Sequence, residues 1–300
     1  MSASPSTRVG PLVESRTVGR WRVHAIQAGS LRLDGGAMFG VVPKTLWERR
    51  IPADDRNRIP MGMRCLLVEH DVGPVLIDTG AGNKENAKFH DIYAIENGGD
   101  DGATWLEDGL RQAGVRPEDV ALVIDTHLHF DHAGGNTRRS GEGEPVRPSF
   151  PNARYVVQRG EYHWATHTNE RTSGSYFPHN FVPLAEAGRF DFVEGETELV
   201  AGIRLVPTPG HTPHHQSVLL DGGTERALFV ADLMPTGSHA PLPWIMGYDV
   251  EPLVTLETKR RILHQAEAER WLMVLEHDAS VAWGRVARDE RGNYALRAER

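Results

Sequence analysis

Short apolar, β-branched runs bounded by Gly, Pro or Asp recur through the first half of the chain. Such runs are typical of β-strands, and they predict strands at WRVHAIQAG (21–29), RCLLVEH (64–70) and PVLIDTG (74–80). Only residues 71–73 separate the last two runs, so we expect a hairpin there. From Ala103 to Gly114, apolar side chains recur every three or four residues and stop at the glycine, which predicts an amphipathic helix packed on a sheet.

The second half continues this alternation. Strands are predicted at ALVIDTH, RYVVQ, IRLVPTPG, QSVLL, ALFVAD and WLMVLEHD, with helices over Glu161–His167 and about 253–268. Residues 134–152 are dense in Gly, Pro, Arg and Glu and are predicted to form a loop. Residues 168–183 are expected to form an irregular segment outside the alternation of strands and helices. Strands alternating with helices predict an α/β (α+β) fold. The polar side chains that suggest chemistry follow the ends of strands.

The chain is predicted to form one domain over residues 19–300, preceded by a flexible N-terminal arm at 1–18. Residues 1–18 are polar and rich in Ser, Arg and Pro, and no low-complexity linker divides the remainder. A content of 39% hydrophobic and 25% charged residues is that of a globular protein rather than a disordered or membrane protein.

Charge and targeting signals narrow the partners. A net charge of -8 supplies no basic field for a phosphate backbone, so nucleic acid is not an expected partner. The single cysteine, Cys65, rules out an intrachain disulfide and is expected to be a buried thiol. No segment approaches the ~20 apolar residues of a membrane span, and the first twenty residues lack the apolar stretch of a secretory signal. We therefore expect a cytoplasmic protein with no membrane partner.

The densest chemical signal is THLHFDHAGG, which follows the predicted strand ALVID. In an extended turn, residues two apart point to the same side, so His127 and His129 can converge on one ion while Asp131 and His132 turn toward another. Any one of these histidines alone is better explained by a solvated polar loop. Three imidazoles and a carboxylate at this spacing, between a strand and two glycines, favour a pair of neighbouring metal ions.

The HxHxDH pattern resembles the signature of the metallo-β-lactamase superfamily. That family has a later histidine, matched by His211 in TPGHTPHH, an aspartate, matched by Asp232 in LFVADLMP, and a last histidine, matched by His277 in VLEHD. The strand ending in Asp78 also fits, so the resemblance runs from about residue 20 to 283. It implies a four-layer αββα sandwich.

The resemblance also implies a ligand set for two zinc ions. One ion would be held by His127, His129 and His211, the other by Asp131, His132 and His277, with Asp232 bridging them. Seven ligands over two ions leave open positions, as catalytic zinc requires. Nitrogen and oxygen ligands would also hold manganese, iron or cobalt. Asp78 is expected to orient a ligand imidazole, whereas His214, His215 and His239 are expected to be supporting or surface residues.

Three further runs, GGAMFGVVPKTLW, LMPTGSH and PWIMGYD, look like the branch of quorum-quenching N-acyl homoserine lactonases and methyl parathion hydrolase-type enzymes. Their apolar side chains are candidates for a pocket that holds an acyl chain or an aromatic leaving group, and they are equally compatible with ordinary core: Met38, Phe39, Trp47, Met234, Trp244 and Met246.

The resemblance implies a lactone or ester substrate and a mechanism of ring opening. A hydroxide bridging the two ions would attack the carbonyl carbon, and Asp131 or Asp232 would pass a proton to the departing alkoxide. The lactonase branch often has a tyrosine three residues after the bridging aspartate to support the oxyanion, but here that position is Pro235. Thr236, Ser238 and Tyr248 are the candidate replacements.

Two other activities stay open. The same hydroxide would attack phosphorus, which makes a phosphotriester hydrolase the first alternative. A mononuclear-iron persulfide dioxygenase, which uses a reduced ligand set on the same fold, is the second. Relatives are often dimers, so the resemblance also implies a homodimer.

Overall fold

The computed structural model describes residues 10–141 and 143–299, and the first half of the chain builds a seven-stranded sheet. Its strands are β1 (Val13–Val18), β2 (Trp21–Asp34), β3 (Arg58–His70), β4 (Gly73–Ile77), β5 (Leu122–Ile124), β8 (Arg154–Gln158) and β9 (Phe190–Val193). They lie side by side in that order, antiparallel from β1 to β4 and parallel from β4 to β9. The short strands β6 (Thr137–Arg138) and β7 (Arg147–Pro148) pair separately.

The second half forms another seven-stranded sheet in simple chain order. Its strands are β10 (Thr197–Val200), β11 (Ile203–Pro207), β12 (Gln216–Asp221), β13 (Arg226–Phe229), β14 (Leu272–Val274), β15 (Trp283–Arg288) and β16 (Tyr294–Glu299). All neighbours are antiparallel except β13 and β14, which run parallel because a long helix connects them.

Helices lie between the strands along the chain. They are α1 (Gly35–Phe39), α2 (Lys44–Trp47), α3 (Ala87–Tyr93), α4 (Trp105–Gln112), α5 (Phe130–Ala133), α6 (Arg159–Thr166), α7 (Val182–Glu186) and α8 (Pro252–Glu269). The helix α4 begins at a capping box in which Thr104 and Glu107 bond each other's backbone N–H groups, and it buries Leu106 and Leu110 on one face. It occupies the position that the apolar spacing predicted.

Three apolar layers hold the fold together. Between the sheets, side chains of the first sheet such as Leu66 and Ile124 pack against side chains of the second such as Phe229 and Trp283. A second cluster joins α4, α6 and α7 to the outer face of the first sheet, and a third joins α8 to the outer face of the second. The order helix, sheet, sheet, helix confirms the predicted αββα sandwich.

The N-terminal boundary differs from the prediction. The predicted arm, residues 1–18, includes Val13–Val18, and these form β1, which pairs with β2 along its whole length. From Ser15 on, exposed side chains (Ser15, Thr17) alternate with half-buried or buried ones (Arg16, Val18), because an edge strand of a sheet has one solvated face. Residues 1–9 lie outside the described part of the chain.

The predicted hairpin is confirmed where β3 and β4 meet, with His70 opposite Gly73. Within the described residues, no helix combines the length and apolarity needed to cross a bilayer. The homodimer and the cytoplasmic location stay predictions.

Candidate metal centre

The HxHxDH segment lies where β5 ends, and it is almost wholly buried. The chain is extended through His129 and then turns into the short helix α5. Two glycines follow because the loop after β4 packs directly on them: a Cβ on Gly135 would lie 2.2 Å from the carbonyl oxygen of Thr79. The backbone N–H of Thr79 in turn donates to the His132 carbonyl at 2.7 Å, which fixes the segment against the sheet.

The structure brings three distant parts of the chain together into a first cluster. Nε2 of His127 and Nδ1 of His129 are 3.0 Å apart, and the same His129 nitrogen is 3.1 Å from Nε2 of His211. Oδ2 of Asp232 lies 3.0 Å from that His211 nitrogen. Three ring nitrogens and one carboxylate oxygen therefore converge on one small volume, as the ligands of a tetrahedral ion must.

A second cluster adjoins the first. Nε2 of His277 lies 3.1 Å from Nε2 of His132 and 3.9 Å from Oδ2 of Asp131. It also lies 3.0 Å from Oδ1 of Asp232. The two oxygens of Asp232 thus face different clusters, Oδ2 toward His211 and Oδ1 toward His277. All seven side chains that the HxHxDH resemblance singled out meet at one site.

The outward ring nitrogens are held by hydrogen-bond partners, which turns the inward nitrogens toward the clusters. Nδ1 of His211 lies 2.9 Å from Asp249, Nδ1 of His277 lies 2.7 Å from the Gly62 carbonyl, and Nδ1 of His132 lies 3.0 Å from Asp78. An imidazole that donates from Nδ1 keeps its Nε2 lone pair for a metal ion. This donor set fits divalent metal ions, and Asp78 has the orienting position that the sequence suggested.

A second carboxylate, that of Glu276, also lies 3.0 Å from Nδ1 of His132. Glu276 is fully buried, and apart from this contact with His132 its side-chain oxygens have no polar partner within the described residues. Burial raises the pKa of Glu276 to about 8. The Glu276 carboxyl behind the imidazole of the second cluster is therefore mostly protonated and neutral at pH 7.

The negative charge of Asp232 favours a cation next to each cluster. Burial and the neighbouring imidazoles hold the pKa values of His127 and His129 well below the ordinary value, so both rings are neutral and have lone pairs to donate. Burial also lowers the pKa of His211 and His277, but the charge of Asp232 outweighs it and raises them to about 10 and about 9. The carboxylate thus favours a cation at each of its two oxygens.

Replacing Asp249 by Asn is expected to weaken metal binding at the first cluster by about 10- to 100-fold, because the neutral amide orients and polarises the His211 ring less strongly. Competition with a chromophoric chelator measures the affinity. Asp221→Asn, at an exposed carboxylate far from the site, is the matched control. Equal metal affinity in the wild type and Asp249→Asn would contradict this role.

A cavity of about 390 Å³ opens onto both clusters. His129, Asp131, His211, Asp232 and His277 form its floor. Its walls consist of an apolar and aromatic side and a more polar side: Leu33, Ala37, Met38, Tyr93, Phe130, Met246, Gly247, Tyr248 and Val250 on the first, and Trp164, Arg171, Thr172, Ser175, Tyr176 and Thr212 on the second. The cavity is large enough for a small organic substrate in contact with the clusters.

Two of the six predicted pocket residues, Met38 and Met246, line this cavity. The other four, Phe39, Trp47, Met234 and Trp244, do not line it, and their contact with a substrate stays a prediction. Phe39 stacks on Trp47 at 5.4 Å and meets the edge of Trp244 at 5.6 Å, so these three rings form an aromatic core behind the wall. Met234 is fully buried in the core beneath α8. Large apolar side chains gain more by mutual burial than at a wet surface.

The histidines next to the motif differ in environment. His215 is buried, and its Nε2 accepts the backbone N–H of Asp232 at 3.3 Å. His239 is buried as well; its Nε2 lies 2.8 Å from the Met38 carbonyl oxygen, and its ring stacks on Phe39 at 4.5 Å. His215 thus holds the backbone of a proposed ligand, and His239 holds the backbone of a cavity-lining residue. His214 is exposed.

Sequence reasoning missed one functional residue, the buried carboxylate of Glu161, which supports the first cluster. Its oxygens accept the backbone N–H of Leu128 at 3.1 Å, the Tyr176 hydroxyl at 3.0 Å and the Thr212 hydroxyl at 2.6 Å. The Tyr176 ring packs on the His129 ring at 4.5 Å. Glu161 therefore holds two segments that carry ligands: Leu128 lies between His127 and His129, and Thr212 follows His211. It lies in a helix that looks solvent-exposed from its sequence, so no local pattern marks it.

The fold and the site together define a metal-dependent hydrolase. The chain belongs to the metallo-beta-lactamase superfamily, whose family model matches residues 62–277, and this confirms the family predicted from the HxHxDH motif. An N-acyl homoserine lactonase from Bacillus sp is 32% identical over 226 residues, covering 71% of this chain and 80% of that protein.

Two solved structures extend the comparison. A probable metal-dependent hydrolase from Staphylococcus aureus superposes with a TM-score of 0.83 at 27% identity, covering 95% of this chain and 100% of that chain. An N-acyl homoserine lactone hydrolase with the product N-hexanoyl-L-homoserine bound at its catalytic metal center superposes with a TM-score of 0.63 at 26% identity, covering 88% and 94%. The first likeness covers nearly the whole chain, and the second relates the fold to a lactone-opening enzyme.

Proposed function

We propose that this protein is a dinuclear zinc hydrolase that opens the rings of lactones of the N-acyl homoserine type. The observation that carries the proposal is the placement of Asp232, with one oxygen 3.0 Å from His211 and the other 3.0 Å from His277. A carboxylate between two nitrogen-rich clusters suits a bridging ligand. The lactonase names of the relatives supply the substrate class.

The ligand roles follow from the two clusters. The first ion would be held by His127, His129 and His211, the second by Asp131, His132 and His277, and Asp232 would serve both. Two such ions supply a water that ionises near pH 7 and a Lewis acid for a carbonyl oxygen. Zinc is the proposed metal because imidazole and carboxylate ligands suit it, although the same donors accept manganese, iron or cobalt.

The protein's own side chains bind the substrate and manage its proton. The apolar wall with Met38 and Met246 would hold the acyl chain away from water while the lactone carbonyl lies on the cavity floor. Asp131 and Asp232, both on that floor, are the carboxylates able to carry a proton to the alkoxide oxygen that leaves when the ring opens.

Tyr248 is the proposed hydroxyl donor in place of the tyrosine missing at position 235. It lines the cavity, and burial, with smaller contributions from Tyr93, Asp34 and Asp131, raises its pKa to about 12, so the hydroxyl is protonated and able to donate. The other two candidates do not line the cavity: Thr236 bonds His239 through its hydroxyl, and Ser238 bonds Thr236 through its backbone N–H.

Tyr248→Phe is therefore expected to lower kcat for lactone opening by about 10- to 100-fold with little change in KM, because only the developing negative charge loses a donor. Tyr294→Phe, a tyrosine in the core beneath α8, is the control. A loss confined to KM would show that Tyr248 only contacts the substrate.

Metal stoichiometry combined with a substrate panel tests the proposed function. Two zinc equivalents per chain and acid release from N-acyl homoserine lactones are the expected results. Faster turnover of a chromogenic phosphotriester than of any lactone would reassign the enzyme to organophosphate hydrolysis. One iron per chain with oxygen consumption on a persulfide substrate would reassign it to the dioxygenases.

A further inference from the structure

Arg171 is the one lysine or arginine that lines the cavity within the described residues. The lining carboxylates are Asp131 and Asp232, and both belong to the metal clusters. No carboxylate in residues 10–141 or 143–299 forms an ion pair with Arg171. The cavity therefore has a positive charge on its wall that no side chain of the protein neutralises.

The backbone around Arg171 is held in place by hydrogen bonds. The side-chain oxygen of Asn169 accepts the N–H groups of Arg171 at 2.9 Å and of Thr172 at 3.2 Å. A few residues on, the Ser175 carbonyl accepts the N–H of Phe130 at 2.9 Å, which ties the turn to the segment between His129 and Asp131. The turn therefore has a fixed position relative to the metal clusters, as a recognition residue requires.

The guanidinium lies at the mouth of the cavity. Arg171 is exposed, and its Nη2 donates to the Gly247 carbonyl at 2.9 Å, while the Gly247 N–H donates to the Ala37 carbonyl at 2.8 Å. These two bonds join the rims of the polar and apolar walls. Nη2 uses one of its two hydrogens for the bond to Gly247, and Nε and Nη1 have no partner within the described residues. The second Nη2 hydrogen and the N–H beside it therefore leave one edge of the guanidinium available to a ligand.

We propose that Arg171 forms an anion subsite at the cavity mouth, so that the preferred lactones carry a carboxylate on the acyl group, at the end remote from the ring. This inference rests on the proposed lactone-opening function. The planar guanidinium pairs with a carboxylate through two parallel N–H···O bonds. Arg171 bonds the carbonyl of Gly247, which follows Met246 on the apolar wall, so an acyl chain that starts at the clusters and packs on that wall would bring its far end to the guanidinium.

The test uses two lactones of equal chain length and the zinc-loaded enzyme. N-hexanoyl homoserine lactone ends in a methyl group, and N-adipoyl homoserine lactone ends in a carboxylate. We expect the wild type to prefer the carboxylate-ended lactone by about tenfold in kcat/KM at low salt, through a lower KM. In Arg171→Gln, the preference should disappear, and in Arg171→Lys, which keeps the charge, part of it should remain.

Arg260→Gln is the control, because it removes one exposed positive charge from α8, outside the cavity, and should leave the tenfold preference intact. Equal slowing of both lactones in Arg171→Gln would overturn the subsite, since the arginine would then act only through its bond to Gly247. Equal use of the two lactones by the wild type would overturn it as well.

Calorimetric binding of the two ring-opened compounds separates this inference from the proposed function. If the wild type opens neither lactone but binds ring-opened N-adipoyl homoserine more tightly than the hexanoyl compound, and Arg171→Gln loses that difference, the lactonase function fails and the anion subsite stands. Equal binding of both compounds by the wild type overturns the subsite whichever substrate the enzyme turns over.

Discussion

Asp232→Asn is expected to lower lactone opening by about 10²- to 10⁴-fold while leaving the fold intact. Asn has the shape of Asp but replaces one carboxylate oxygen by an NH₂ group. Whichever way the amide turns, one cluster then faces a group that cannot ligate a metal ion, and the negative charge between the clusters is lost. Steady-state acid release from a lactone panel measures the effect.

The matched control for this substitution is Asp221→Asn, which changes an exposed carboxylate paired with Arg226. It should retain full activity. Circular dichroism and the melting temperature should show that Asp232→Asn is folded. Unchanged turnover in a folded Asp232→Asn would remove Asp232 from the chemistry and leave the paired clusters without their common ligand.

Removal of metal is expected to abolish activity and to lower Tm. Seven polar side chains meet at the clusters, and ions that bind only the folded chain stabilise it by about 4 kcal/mol when present at a thousandfold excess over Kd. For a chain of this length, that corresponds to a fall in Tm of about 6 °C on chelation. Activity assays and thermal unfolding before and after dialysis against a chelator measure both changes.

Added zinc should restore both quantities, whereas magnesium, which prefers oxygen ligands, should restore neither. Zinc added to Asp221→Asn after the same treatment should restore it as fully as the wild type. An enzyme that keeps its activity and its Tm through chelation, with no metal left by elemental analysis, would contradict the metal-dependent mechanism.

Local patterns were sufficient to predict the parts of the site that follow strands directly. His127 and His129 come immediately after the apolar run that becomes β5, and Asp232 follows the run that becomes β13. The carboxyl ends of such strands meet at one edge of the sandwich, so ligands distant in sequence can be expected at one place. The spacing within HxHxDH also matched the division of its residues between two clusters.

Residues that act through another side chain carried no such pattern. Asp249 lies at the end of PWIMGYD, a run with no metal-ligand spacing, and it meets His211 only because a loop brings the two together across 38 positions. For apolar residues such as Phe39 and Trp244, local sequence patterns were likewise not sufficient to predict the position. Their size predicts burial, but only tertiary packing decides between the cavity wall and the core behind it.

Anomalous diffraction at the zinc edge, on crystals of the zinc-loaded enzyme, tests the dinuclear site most directly. We expect two peaks per chain, one among His127, His129 and His211 and one among Asp131, His132 and His277, with a carboxylate oxygen of Asp232 as a ligand to each. A single peak, or two peaks of which one has no contact with Asp232, would contradict the bridging role on which the proposed chemistry depends.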